Sequence, residues 1–292
     1  MRRASLLCAL LLVIGFPRPA DAWGFAAHRY IMSMAIPRLP PELRPFFLAN
    51  RVELVEHAID PDLWRTAGWE QEDKRHFLDM DAYGPHPFAD LPHLEADAVA
   101  KFTRPFVDKN GTLPWRTQEI YGKLVEAFTQ KAGYSRENIK FFSSVIAHYV
   151  SDAHVPFHAA LNYDGQFTQQ WGVHARFESE LFERYRSRLV VRPGAPVPVT
   201  SALETTFGTL TESYTFVQPI LDADKLAVAG REVYDDGYYA AFFAKAGPIL
   251  AGRVADSVRD VVSMITAAWI EAGRPAVPAS VGRSAPRPVR RQ

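Results

Sequence analysis

The chain has 292 residues, 48% apolar and 23% charged, ordinary values for a folded globular protein that exclude a low-complexity fibre or a wholly disordered chain. Thirty-three basic residues balance 33 acidic ones unevenly: the first 22 positions carry three Arg and one Asp, the last 19 five Arg and no acid. That leaves 25 basic and 32 acidic residues from Trp23 to Gly273, a net of −7, a poor partner for a phosphate backbone unless bound cations reverse the local field.

In chain order, residues 1–22 read as an export signal. Arg2 and Arg3 precede an apolar run from Leu6 to Phe16, and Ala20-Asp21-Ala22 has the small-residue pattern of a cleavage site. That run is too short for a span of about 20 residues. Cleavage between Ala22 and Trp23 makes Trp23 the mature first residue of an exported, periplasmic or extracellular protein. The sole cysteine, Cys8, lies in the discarded segment, so neither thiol nor disulfide remains to stabilise the product.

Residues 23–273 read as one all-α domain. Pro37, Pro40, Pro41 and Pro45 punctuate the first helices. Residues 84–94 and 191–198 read as loops. Apolar spacing at i, i+3, i+4 predicts helices over 137–153, 202–221, 227–244 and 249–272, with Gly247-Pro248 as a break. Nothing alternates with period two for long enough to require a sheet. The Arg- and Pro-rich residues 274–292 read as a disordered tail.

The histidines carry the chemistry. His148 and Asp152 are four apart, so on a helix they project from one face, as two ligands of one metal must. Pro156 ends that helix and frees His158 to point elsewhere. His174 and Glu178 repeat the spacing. Imidazole and carboxylate without sulfur favour zinc, with iron or manganese as alternatives. At the mature terminus, the Trp23 amine and carbonyl can close a chelate ring, and His28 lies five residues on. Between these stand Asp60, Asp62 and His76, with Arg65 placed either to clamp a phosphoryl oxygen or to pair with Asp62 or Glu70. His154 falls at a different helical angle from His148 and Asp152 and reads as supporting or structural. His57, His86 and His93 read as surface or local hydrogen-bonding residues.

Trp23, His28, Asp62, His76, the pattern His148-x-x-x-Asp152-x5-His158 and the pair His174-x-x-x-Glu178 together resemble the superfamily of zinc-dependent phospholipases C and single-strand-specific zinc nucleases. The resemblance implies a multi-helix fold around three zinc ions. It assigns Asp62, His76, His148 and Asp152 to one zinc, and His158, His174 and Glu178 to a second. The Trp23 amine and carbonyl, His28 and a bridging Asp152 hold the third. Asp62 is preferred over Asp60 because the Asp-x-x-Arg pattern and the spacing to His76 fit there.

The implied reaction is phosphodiester hydrolysis by metal-activated water, with Asp62 as proton acceptor and Arg65 offsetting charge on the transition state. On substrate the motifs divide. Asp62-x-x-Arg65 and the Trp-Gly-x-x-x-His start resemble the nuclease branch. The short His158–His174 interval, Glu178 and the missing cysteines resemble the phospholipase branch. The Gly-Gly-Asn of nucleases is absent after His158, and the aromatics of a choline cage are unmatched at Leu63 and Asp73. Phe77 and Asp79, in His-Phe-x-Asp, fit a base platform or a pocket wall. The expectation is a phospholipase C-like enzyme. Its alternatives are a single-strand-specific endonuclease on DNA or RNA and a non-catalytic exported zinc-binding protein. No stable protein partner is implied, and membrane contact is peripheral at most.

Overall fold

A computed structural model describes residues 24–129 and 134–279. Among the described residues the protein is all-α, with no strand. Fourteen α-helices follow in order: α1 (Phe25–Ala35), α2 (Arg44–Ala49), α3 (Arg51–Glu56), α4 (Asp60–Thr66), α5 (Glu70–Asp73), α6 (Glu95–Phe102), α7 (Arg104–Lys109), α8 (Leu113–Phe128), α9 (Ser135–Ala153), α10 (Val173–Ala175), α11 (Leu181–Tyr185), α12 (Ala202–Tyr214), α13 (Val217–Val228) and α14 (Asp236–Glu271). Proline within the first two positions starts α2, α4, α7 and α8, where the missing N–H has no intrahelical role to lose. Ser201 and Asp235 cap α12 and α13's successor α14 by accepting from the amides of Glu204 (3.2 Å) and Tyr238 (2.7 Å). No helix of the described residues is long and apolar enough to cross a membrane.

Helix α9 is the axis of the fold. It packs against α8, α14, α1 and α3, and every residue from Ser143 to Ala153 is buried. A helix surrounded on all sides buries whatever it carries, so His148 and Asp152 sit where most proteins place apolar core. Helix α14 runs alongside, packed on α13, α9, α1 and α8.

Four expectations need correction. The helix expected over 202–221 is two, because the Thr215 hydroxyl and amide both return to the Glu212 carbonyl and close the turn. The helix expected over 227–244 starts only at Asp236, after a left-handed Gly230. Pro248 breaks nothing. Its ring costs a helix about 3 kcal/mol, but Pro248 and Ala244, the residue whose carbonyl it leaves unpaired, are exposed to water while Ala246, Leu250, Val254 and Val258 stay buried. Residues 274–279, expected as the start of a disordered tail, pack instead. Val277 is buried, Trp269 Nε1 donates to the Pro275 carbonyl at 2.9 Å, and Arg136 donates to the Ala279 carbonyl at 3.2 Å. The signal segment 1–22, Trp23 and residues 280–292 lie outside the described residues.

Candidate metal centre

Three sets of buried donors converge in the middle of the molecule: Asp62 with His76 and His148; His28 with His148 and Asp152; and His158 with His174 and Glu178. Eight of the nine donor residues expected from sequence are in these sets. The ninth, Trp23, is outside the described residues.

Each donor arrives on a different piece of chain. Asp62 stands in the first turn of α4, at no exposure, while Asp60 faces out and accepts from His57 Nδ1 at 2.8 Å. His76 follows α5. It turns Nδ1 toward Asp152 Oδ2 (3.0 Å) and Asp62 Oδ1 (3.7 Å). His148 Nδ1 donates to the Ala58 carbonyl at 2.9 Å, which fixes the ring and turns Nε2 inward. That Nε2 lies 3.2 Å from Asp152 Oδ2 and 3.9 Å from Asp62 Oδ1. Ligands 2.0–2.2 Å from a tetrahedral ion stand about 3.3–3.6 Å apart, so these separations fit a cation at their centre.

The two oxygens of Asp152 look opposite ways. Oδ2 faces His76 and His148, whereas Oδ1 lies 3.3 Å from His28 Nε2 and 3.9 Å from His158 Nδ1. In the third set, His174 Nε2 and His158 Nε2 are 3.1 and 3.9 Å from Glu178 Oε2. His174 and Glu178 were expected on one regular helix. They instead straddle the passage from α10 into a π-helical turn over Arg176–Glu180. The wider turn still brings positions four apart together. Gly24 packs against this turn: a Cβ there would come within 2.6 Å of Ser179 Oγ, so the start of the described chain is pressed beside Glu178.

Burial and charge set the donors' protonation. Burial holds His158 well below the usual imidazole range, aided by His174, His76 and Arg65 against Asp152. Burial, then Arg65, carries His174 down to about 4. Both rings offer free lone pairs at neutral pH. Burial opposes charge on His148 too, but the carboxylates of Asp152 and Asp62 outweigh it and raise the group to about 9. Burial likewise opposes the Asp152 carboxylate, yet His148 and its other imidazole neighbours hold it well below the usual range. His28 is lowered by burial and by His148. Both oxygens of Asp62 and the Nδ1 atoms of His28, His158 and His174 are buried without a hydrogen-bond partner. Orphaned polar atoms are rare in native interiors. Gathered at one point, they fit a site built for cations.

A cleft of about 620 Å³ opens onto the donors. Its walls include Arg65, Phe77, Asp79, His76, His158 and His174. The Arg65 guanidinium, 16% exposed, is 3.4 Å from Asp62 Oδ1 and faces the cleft as well. The sequence pattern thus left open an alternative that the geometry joins: the ion pair and the cleft position belong to the same side chain. A depression of about 640 Å³ between residues 188–192 and α14 contains none of these donors.

A sequence model of the zinc-dependent phospholipase C family matches residues 27–218, which hold every described donor. The chain belongs to the zinc-dependent phospholipase C family. Zinc dependence and a phospholipase C-like hydrolase fold into that membership. Comparison with curated protein sequences gave no match.

Other histidines of this family member are occupied elsewhere. His154 Nε2 is 3.0 Å from Asp260, and its Nδ1 meets Arg253 in a buried network under α14. His93 pairs with Glu204 at 2.8 Å and stacks on Phe207, and His86 stacks on Tyr214. Sequence reasoning missed Glu72. It is fully buried, accepts from the Tyr149 hydroxyl and from Arg75 (2.8 Å), and lies 3.9 Å from His76 Nε2, the nitrogen turned away from the donor centre. The signal was there in its spacing, four residues before His76. A carboxylate behind an imidazole raises the basicity of the facing nitrogen.

Proposed function

We propose that the protein is an exported phospholipase C that hydrolyses the phosphodiester of a phospholipid, releasing diacylglycerol and the phosphorylated headgroup. The observation carrying this reading is Asp152, whose two oxygens address separate donor sets beside a cleft walled by Arg65. In this reading Asp62, His76, His148 and Asp152 hold one zinc, and His158, His174 and Glu178 a second. His28, Asp152 and the amine and carbonyl of a mature Trp23 hold a third, freed by cleavage after Ala22.

Zinc held there supplies Lewis acidity and activates water at neutral pH. The chain's own residues do the rest. An Oδ of Asp62, buried and hydrogen-bonded to nothing, takes the proton as the water oxygen bonds to phosphorus. The Arg65 guanidinium places its forked donors on the phosphoryl oxygens and offsets their growing charge. Phe77 and Asp79 form the wall that meets the substrate. The bond from phosphorus to the glycerol oxygen then breaks, and the proton taken up by Asp62 passes to that oxygen, which leaves as the hydroxyl of diacylglycerol.

The test is a zinc count on the secreted protein, with diacylglycerol release from phosphatidylcholine measured beside nucleotide release from single-stranded DNA. Three zincs and diacylglycerol support the proposal. Nucleotides alone would make it a nuclease, and zinc without either product a binding protein.

A further inference from the structure

Residues 160–172 link two of the donor histidines, and this loop has a surface that the donors do not explain. Three large aromatics stand on it in water: Tyr163 is 50% exposed, Phe167 70% and Trp171 66%. Tyr163 and Phe167 also line the cleft, so they form its solvent edge. Water-exposed aromatics usually mark a contact surface when they gather at one place.

The loop does not hold these rings out by being loose. The Phe167 amide donates to Asn162 Oδ1 at 2.8 Å, and Gln166 bonds both the Leu161 carbonyl (2.6 Å) and the Asp164 amide (2.9 Å). Gly165 turns the chain at φ 73°, where a Cβ would strike the Gln170 carbonyl at 2.6 Å. Gln170 is tied to Asp224 at 2.8 Å, and buried Arg176 donates to the Trp171 carbonyl at 2.7 Å. A network of that density holds the backbone that carries the aromatics in one arrangement before any partner arrives.

Charge selects the partner. The loop has one acid, Asp164, and no Lys or Arg. Proteins that stack single-stranded bases on aromatics combine them with a basic groove, and attraction to anionic lipid needs clustered basic residues. Neither is present on this loop. Uncharged aromatic rings with polar edges suit the interface of a zwitterionic bilayer, where Trp and Tyr settle at headgroup level.

We propose that Tyr163, Phe167 and Trp171 form an interfacial anchor that seats the cleft on a zwitterionic phospholipid surface. This rests on the phospholipase reading and adds how the enzyme meets an aggregated substrate. Headgroups then enter past Tyr163 and Phe167, while Trp171, outside the cleft lining, contributes to anchoring alone.

The test uses zinc-loaded mature protein, phosphatidylcholine vesicles and a short-chain phosphatidylcholine kept below its micelle threshold. Trp171→Ser should weaken vesicle co-sedimentation on the order of tenfold, the size expected from withdrawing one ring from an apolar contact. Vesicle hydrolysis should fall with it, while zinc content and hydrolysis of the monomeric lipid stay at wild-type level. Trp171→Phe should retain most of the binding, and wild-type tryptophan emission should shift to the blue on adding vesicles. Phe167→Ser, read by co-sedimentation only, should behave like Trp171→Ser. If both serine variants sediment with vesicles as wild type does, the anchor is refuted. Loss of single-stranded DNA binding with unchanged vesicle binding would refute it too, in favour of a base platform. Wild type that binds vesicles but hydrolyses neither lipid would overturn the proposed reaction and leave the anchor standing.

Discussion

Asp79 offers the sharpest quantitative test. Its carboxyl is 5% exposed on the cleft wall, and Oδ1 is buried without a hydrogen-bond partner. Burial, and then the neighbouring Asp81 carboxylate, raise its pKa from 3.8 to about 7 against a smaller opposing pull from Lys109. An acid weaker in the folded chain than in the unfolded one costs stability only when ionised. The cost is absent below pH 3.8, grows as pH rises between the two values, and is complete above about 7. At about 1.4 kcal/mol per pH unit, it amounts to about 4 kcal/mol at pH 8 and about 0.5 kcal/mol at pH 4. Asp79→Asn removes the charge and keeps the shape. Urea unfolding of chelator-stripped protein should therefore show the variant more stable by about 4 kcal/mol at pH 8, with most of that gain gone at pH 4. Substrate affinity should fall, the trade expected where a stability cost is retained at a functional wall. Equal gains at both pH values, or none at pH 8, would refute the burial argument.

Asp152→Asn should lose two zinc ions together, as counted by elemental analysis, because one carboxylate is proposed to serve two donor sets; full zinc with full activity would end its assignment as a bridge. Arg65→Ala should keep its zinc and lose kcat on the order of 10²-fold, the scale of one missing transition-state donor. Loss of metal would make Arg65 a structural partner of Asp62, and no change at all a bystander. Protein with one extra residue before Trp23 should hold about two zincs at unchanged helical content, since an amide nitrogen has no lone pair to give; three zincs and the mature rate would reduce Trp23 to a hydrophobic anchor.

What was legible in the sequence was local. His148 and Asp152 announce themselves because a four-residue step on a helix is one face, and burial of α9 on every side from Ser143 to Ala153 does not alter that step. Asp62 is preferred over Asp60 through the family resemblance, whose Asp-x-x-Arg pattern and gap to His76 fit there, and the fold keeps the two apart, one buried and one paired with His57 at the surface. What escaped depended on neighbours distant in sequence. Pro248 reads as a stop until the solvent beside Ala244 is known. The π turn after His174 leaves no periodic trace, because Phe177, Leu181 and Phe182 keep an apolar side to the core whichever way the extra residue is wound. Glu72 has a local sign, its place four residues before His76, but its burial against Tyr149, 77 positions away, has none.

Two features that arose separately meet in one segment. The rim loop carrying Tyr163, Phe167 and Trp171 begins just after His158 and ends just before His174, and both histidines face Glu178. A cation held by those three would cross-link the two ends of the loop, removing the closure entropy that a chain of this length otherwise retains. Arg176, between His174 and Glu178 in sequence, grips the loop's last residues from beneath through the carbonyls of Gln170 and Trp171. The side chains that would bind metal and those that would meet lipid therefore share one support. The π turn that delivers Glu178 thus also holds the end of the loop through Arg176, adding to the loop's own bonds at Asn162 and Gln166.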